Sequence, residues 1–215
     1  MKEGKNIMEN SKMAENNYVC LSGVISEECV FSHEVYGEGF YIFKTEVKRL
    51  SENEDILPVT VSERLIDINS LKRGMTVNVM GQMRSYNHYS SKKNKLILTT
   101  FAKEIEIGED ILANPNEIFL NGFICKTPVY RTTPFGREIT DLLIAVNRSY
   151  GKSDYIPCIA WGRNAKFAGG LEVGNNIEIW GRVQSRNYQK KLENDEIEER
   201  TAYEVSISKI DLIDR

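Results

Sequence analysis

The sequence predicts an all-β chain of two tandem five-stranded barrels, each with a short helix between its third and fourth strands. An internal repeat and period-two apolar alternation carry that prediction. Leu21-Ser22-Gly23-Val24-Ile25 returns as Leu120-Asn121-Gly122-Phe123-Ile124, and Pro58 through Arg64 returns as Pro157 through Arg163, at a shift of about 99 residues. After one inserted residue, Leu71, Gly74, Val77, Val79, Gly81, Ser85 and Asn87 match Leu171, Gly174, Ile177, Ile179, Gly181, Ser185 and Asn187. A duplication divides the 215 residues into two units, each large enough to bury a core.

Taken in order, residues 1–17 are polar, rich in Asn, Lys and Glu, and have no apolar run that could act as a signal core or membrane span. They read as a disordered leader in a cytoplasmic protein. Residues 18–107 form the first barrel, with strands expected at Tyr18 to Ile25, Phe40 to Val47, Leu57 to Val61, Met75 to Met83 and Leu96 to Ile105. Residues 108–116, containing Pro115, read as a linker. Residues 117–215 form the second barrel, with strands at Glu117 to Ile124, Ile139 to Asn147, Tyr155 to Trp161, Ile177 to Val183 and Thr201 to Ile210. Helices are expected over Glu63 to Leu71 and Asn164 to Leu171. Five strands with a helix between the third and fourth is the order of the oligonucleotide-binding barrel, the OB-fold. Gly81 and Gly181, inside strands, mark the bend or bulge that lets a small barrel close.

Bulk charge names no partner: Lys plus Arg number 28 against 31 Asp plus Glu. Cys20, Cys29, Cys125 and Cys158 have no metal-ligand spacing, and His33 and His88 stand apart from them, so buried free thiols are expected and no metal or cofactor. Clustered carboxylates or a base poised beside a nucleophile are not visible, which argues against an enzyme.

Chemistry concentrates in the second copy. Tyr155 and Trp161 share parity on one strand and lie about 20 Å apart along it, room for more than one base. Ile159 has the same parity, which indicates that this face is partly covered. Tyr150 precedes the strand in a Gly-Lys-Ser turn, and Tyr188 ends the fourth strand. Exposed rings stack on any base, contributing roughly 1–3 kcal/mol each. Arg148, Lys152, Arg163, Arg182, Arg186, Lys190 and Lys191 interleave with these rings as candidate phosphate contacts. In the first copy the matching strand positions are Ser51, Ile56 and Ser62, none aromatic. Its candidate contribution is a hairpin loop carrying Arg84, Tyr86, His88, Tyr89, Lys92, Lys93 and Lys95.

Leu120-Asn121-Gly122, Ala145-Val146-Asn147-Arg148, Trp161-Gly162-Arg163-Asn164-Ala165 and Ile179-Trp180-Gly181-Arg182 resemble the corresponding blocks of bacterial single-stranded DNA-binding proteins, the SSB family, over residues 116–213. The resemblance implies that Tyr150, Tyr155, Trp161 and Tyr188 occupy the family's stacking positions. It implies sequence-tolerant binding of single-stranded DNA in replication, recombination or repair, in the cytoplasm at the nucleoid. SSB-like barrels commonly work in fours, so a homodimer of this two-barrel chain is expected. The chain ends at Ile213-Asp214-Arg215 without the Gly- and Gln-rich tail and acidic tip by which family members recruit partners; the acidic run 193–199 reads as a solvated loop. Stacking and phosphate contacts serve RNA as well as DNA. The alternative reading is a protein-interaction module of a primosome-like assembly, with covered aromatics and weak nucleic-acid binding.

Overall fold

A computed structural model of the chain describes residues 16–49, 51, 53–90, 93–191 and 197–213, of which 87–90, 93–95, 190 and 191 are described as backbone only. Alternating burial in the sequence becomes ten strands among these residues. The first five are β1 (Asn17–Val35), β2 (Glu38–Lys48), β3 (Glu54–Ser62), β4 (Thr76–Ser90) and β5 (Lys93–Gly108). The second five are β6 (Asn116–Thr132), β7 (Glu138–Asn147), β8 (Ser153–Trp161), β9 (Asn176–Lys191) and β10 (Ile197–Leu212). Each set closes on itself. The neighbours run β2-β3-β5-β4-β1 and β6-β7-β8-β10-β9, and the additional pairings β1–β2 and β6–β9 shut the two barrels. Pairing is antiparallel throughout except where β3 meets β5 and β8 meets β10.

Inward residues of alternate parity fill each barrel: Val19, Leu21, Leu57, Val59, Val77 and Val79 in the first, Ile118, Leu120, Ile156, Cys158, Ile177 and Ile179 in the second. Burying an aliphatic side chain of this size contributes about 1.5–3 kcal/mol, so such residues favour the folded state of each barrel strongly before chain entropy is set against them. The strand glycines behave as expected. The ladders shift register at Met80/Gly81 and, opposite Gly181, at Ile207/Lys209. A Cβ at Gly81 would lie 2.1 Å from the Phe101 carbonyl oxygen, and one at Gly181 would lie 2.2 Å from that of Ser206. The bulges bring backbone so close that only hydrogen fits.

The two helices do not both form. In the second barrel α1 (Arg163–Gly169) follows β8 and buries Ala165 and Ala168, whose small side chains let it sit close; the Thr140 hydroxyl donates to the Ala165 carbonyl at 2.7 Å. In the first barrel the segment expected as a helix over Glu63 to Leu71 is reduced to a 3-10 turn at Ile68–Ser70. Its residues explain the difference: Asp67 accepts from the Asn69 amide at 3.0 Å, the local bonding by which Asp, Asn and Ser compete with helix.

The barrels are joined through their first strands. β1 and β6 pair antiparallel, with Val19 opposite Ile118, Asn17 opposite Leu120 and Leu21 opposite Asn116. Val19 and Ile118 are the same position of the repeat, so a pseudo-twofold axis passes between them. It repeats even the buried amides: Asn17 bonds the Met83 carbonyl and amide, both at 2.8 Å, and Asn116 bonds those of Val183 at 2.7 and 2.8 Å.

Candidate nucleic-acid interface

β8 builds the exposed face of the second barrel. Its even positions, Asp154, Ile156, Cys158 and Ala160, turn inward and are buried, so Tyr155 and Trp161 turn outward and remain 47% and 38% exposed. Ile159 between them is only 5% exposed and Pro157 is half-buried, which makes a low apolar floor between two standing rings. β7 continues that floor with Ala145 opposite Tyr155 and Leu143 opposite Pro157. The ring-to-ring span follows from six residues of strand, about 20 Å.

Tyr150 stands in the turn that leads into β8. Its backbone is left-handed, at φ 62° and ψ 34°, and its side chain is 98% exposed. A bulky residue at positive φ is uncommon and costs strain. The turn is closed by the Arg148 amide donating to the Lys152 carbonyl at 2.8 Å, and Gly151, also at positive φ, completes it. The ring is thereby held clear of the barrel at one end of the β8 face.

Tyr188 is placed differently from the other three. The Ser185 hydroxyl of β9 accepts from the Ile56 amide at 3.2 Å, so this ribbon leaves its own barrel and packs on β3 of the first. Ile56 is the repeat counterpart of Tyr155. The relation is reciprocal: the Tyr155 amide donates to the Ser85 hydroxyl of β4 at 2.7 Å, which sets the first barrel's Tyr86, itself exposed, beside the β8 face. Tyr188 is as exposed as Trp161, with the Arg186 guanidinium 5.7 Å from its ring centroid. The structure thus sets Tyr155 and Trp161 on the β8 face and Tyr150 in the turn before it, while Tyr188 stands on the β9–β10 ribbon.

The cations fall into two groups. Lys152 and Arg163 are exposed, and Arg186 is exposed with a long 3.7 Å ion pair to Glu204. Arg148 and Arg182 instead lie at two seams between the barrels. Asp154, wholly buried, is met by Arg148 at 3.2 Å and by Arg84 of the first barrel at 3.0 Å, and it accepts from the Ser85 amide at 2.7 Å. Asp55, equally buried, is met by Arg49 at 2.6 Å and by Arg182 at 3.0 Å, and accepts from the Ser185 amide at 2.7 Å. Each seam therefore sets two guanidinium groups on one carboxylate and keeps an excess positive charge. Desolvation and the nearby Arg49 charge lower the Arg182 pKa, while the hydrogen bond to Asp55 raises that of Arg49. A groove of about 650 Å³ runs along the Asp55 seam, lined by Lys48, Arg49, Pro115 and Arg182 among others.

Arg84 and Tyr86, expected in a hairpin loop, lie within β4, because the β4–β5 ladder continues as a paired ribbon. Lys92 lies outside the described residues, as do the side chains of His88, Tyr89, Lys93, Lys95, Lys190 and Lys191. The seam carboxylates Asp55 and Asp154 were not singled out from the sequence. Their signal was present: Arg49 and Asp55 recur as Arg148 and Asp154 at the repeat shift. The four cysteines are free, Cys20 and Cys158 buried and Cys29 and Cys125 half-buried. Among the described residues no helix is long and apolar enough to cross a membrane, and no three His, Cys, Asp or Glu side chains cluster as a metal site.

Residues 115–213 match the model of the single-strand binding protein family. Single-stranded DNA-binding protein 1 of Staphylococcus aureus (strain COL) is 35% identical over 83 residues, covering 35% of this chain and 50% of that protein. Single-stranded DNA-binding protein A of Bacillus subtilis (strain 168) is 34% identical over 83 residues, covering 35% and 48%. The chain spans about half the length of the curated relatives it matches. The fold extends further than the sequence likeness: the crystal structure of the wild-type single-stranded DNA binding protein from Thermus aquaticus superposes with a TM-score of 0.73 at 18% identity, covering 93% of each chain. Two tandem OB-fold barrels are the architecture, and the second of them, residues 115–213, is similar to the single-strand binding protein family.

Proposed function

We propose that the protein binds single-stranded DNA with little sequence preference and without catalysis, the strand lying along β8 of the second barrel. The observation that carries this is the pair Tyr155 and Trp161, both exposed on one face of a rigid strand with an apolar floor between them. Bases stack on the two rings, Tyr150 receives a further base at the entry to the strand, and Lys152, Arg163 and Arg186 contact phosphates. From Tyr155 the strand passes the Asp154 seam, whose surplus guanidinium charge faces a phosphate, to Tyr86 on the first barrel. Tyr188 and the Asp55 seam offer the matching route on the opposite side. The similarity of residues 115–213 to single-stranded DNA-binding proteins supports this reading.

The units are residues 18–107 and 117–215, joined by 108–116, with the second as primary site. Two chains associate as a homodimer to assemble four barrels, acting on single strands exposed during replication, recombination or repair at the nucleoid. Titration with oligo-dT, oligo-rU and duplex of graded length tests the proposal. Trp161→Ala and Tyr155→Ala should each weaken dT binding by about 1–3 kcal/mol. Unchanged dT binding by the double variant would refute it, and equal affinity for duplex would refute single-strand selectivity.

A further inference from the structure

An acid stands on the face where a polyanion is to lie. The β7–β8 ladder sets Asp141 directly opposite Ile159, on the floor between Tyr155 and Trp161, and the Asp141 side chain is 41% exposed. A lone carboxylate there would repel phosphate. It is not alone, because β6 sets Arg131 opposite Ile139, which in turn lies opposite Trp161, and the guanidinium grips both carboxylate oxygens, Nε at 2.7 Å and Nη2 at 3.3 Å. The Arg131 side chain is itself 49% exposed.

The barrel does not need this pair to fold. An exposed ion pair contributes little to stability, and the first barrel closes with Ser32 and Ile42 at the same two repeat positions. Ile42 lies between Val30 and Thr60 just as Asp141 lies between Val129 and Ile159. The two charges therefore stand in the copy that carries the stacking rings and are replaced in the copy that lacks them.

The pair does not suit a phosphate either, since guanidinium and carboxylate together carry no net charge. What remains is a hydrogen-bonding edge, free guanidinium N–H donors beside carboxylate lone pairs. Guanine presents the complement, its O6 acceptor beside the N1–H and N2–H donors. Cytosine and adenine offer the carboxylate one amine, and thymine offers one N–H flanked by two carbonyls, so guanine alone gives it two adjacent donors. Asp141 is diagonal to Trp161 on the neighbouring strand, about 7–8 Å away along the backbone surface, within reach of the edge of a base stacked on the indole. We propose that the Arg131–Asp141 pair reads guanine at the base stacked on Trp161, Arg131 donating to O6 and Asp141 accepting from N1–H and N2–H. This rests on the single-strand reading of the β8 face and gives that otherwise sequence-tolerant site one selective position.

Anisotropy titration of labelled dT hexamers, in which guanine or adenine replaces each thymine in turn, tests it. Adenine controls for the stronger stacking of a purine. With the wild type, guanine at one position should bind at least about fivefold tighter than adenine at the same position. Arg131→Ser/Asp141→Ile, which copies the first barrel and leaves the net charge unaltered, should bring that ratio to about one. Lys152→Ala, which removes a phosphate contact, should weaken every hexamer and keep the ratio. A wild type without a guanine-favouring position, a double variant that retains one, or a ratio lost equally in Lys152→Ala would each overturn the proposal. A wild type that binds none of the hexamers would overturn the single-strand reading first, and this proposal with it.

Discussion

Asp55 and Asp154 are one position of the repeat, each wholly buried and each held by an arginine of its own barrel and an arginine of the other. The supply is crossed in a particular way. The second arginine comes from β9 at Arg182 for Asp55, and from β4 at Arg84 for Asp154. Each has a glutamine two residues away on the same strand face, Gln184 beside Arg182 and Gln82 beside Arg84. The two repeats have exchanged Arg and Gln while keeping the lock.

Removing either carboxylate leaves two guanidinium groups crowded in a half-buried seam. Asp154→Asn should destabilise the protein by about 3–5 kcal/mol, the range for breaking one partner out of a buried pair. Asp55→Asn should cost a similar amount. Urea unfolding followed by circular dichroism measures both; a loss below about 1 kcal/mol would mean that the seams act as surface ion pairs.

The same seam determines how far a bound strand extends. Tyr86→Ala should weaken binding of dT oligomers of about sixteen nucleotides while leaving those of about six unchanged, because only the longer strand passes from β8 to β4. Trp161→Ala should weaken both. Anisotropy titration of fluorescently labelled dT oligomers of the two lengths separates the two patterns.

Gly181 has no room for a methyl group, since the backbone atom it would meet is the Ser206 carbonyl oxygen of the adjoining strand. Gly181→Ala should lower stability by about 1–3 kcal/mol through forced backbone displacement. The urea midpoint reports it, and an unaltered midpoint would show that the bulge can open without cost.

Alkaline pH should loosen the β1–β6 join. Burial, with the neighbouring Cys20 adding to it, pushes the Tyr18 phenol up to about 12 from its ordinary 10.0. The folded state therefore holds the proton more tightly than the unfolded chain, and the stabilisation is complete below pH 10 and is lost as pH rises towards 12. Melting temperature should fall across that interval, and Tyr18→Phe should reduce the fall.

Burial also raises the Cys29 thiol to about 11 and the Cys125 and Cys158 thiols above their ordinary value. Alkylation of these three at pH 8 should be slow in the native protein and fast in denaturant, as mass spectrometry would record.

Much of this was legible in the chain itself. Alternation at Val77, Val79, Ile177 and Ile179 marks strands because side chains on a strand point to opposite faces, and that rule is local. Gly81 and Gly181 announce bulges because no other residue tolerates the approach. Parity alone puts Tyr155 and Trp161 on one face, and Ile159 between them is covered as its own parity indicated. Elsewhere local rules failed. Glu63 to Leu71 has a helical outline, but Asp67, Asn69 and Ser70 bond to their own backbone and stop it. The β1–β2 and β6–β7 hairpins outrun the expected strands because, beyond the barrel, neither face is buried and the alternation that marks a strand disappears.

What the sequence determined by itself is the duplication, the ten-strand pattern and the inequality of the two β3-like strands, since each depends on residue order over a few positions. Only the tertiary structure decided that β1 and β6 pair about a pseudo-twofold axis, that Arg84 and Arg182 reach the buried carboxylate of the other barrel, and that Ser85 and Ser185 meet Tyr155 and Ile56 across the join. Those relations join residues about 70 to 130 positions apart, and no short-range pattern of polarity encodes which distant surface a strand end will meet.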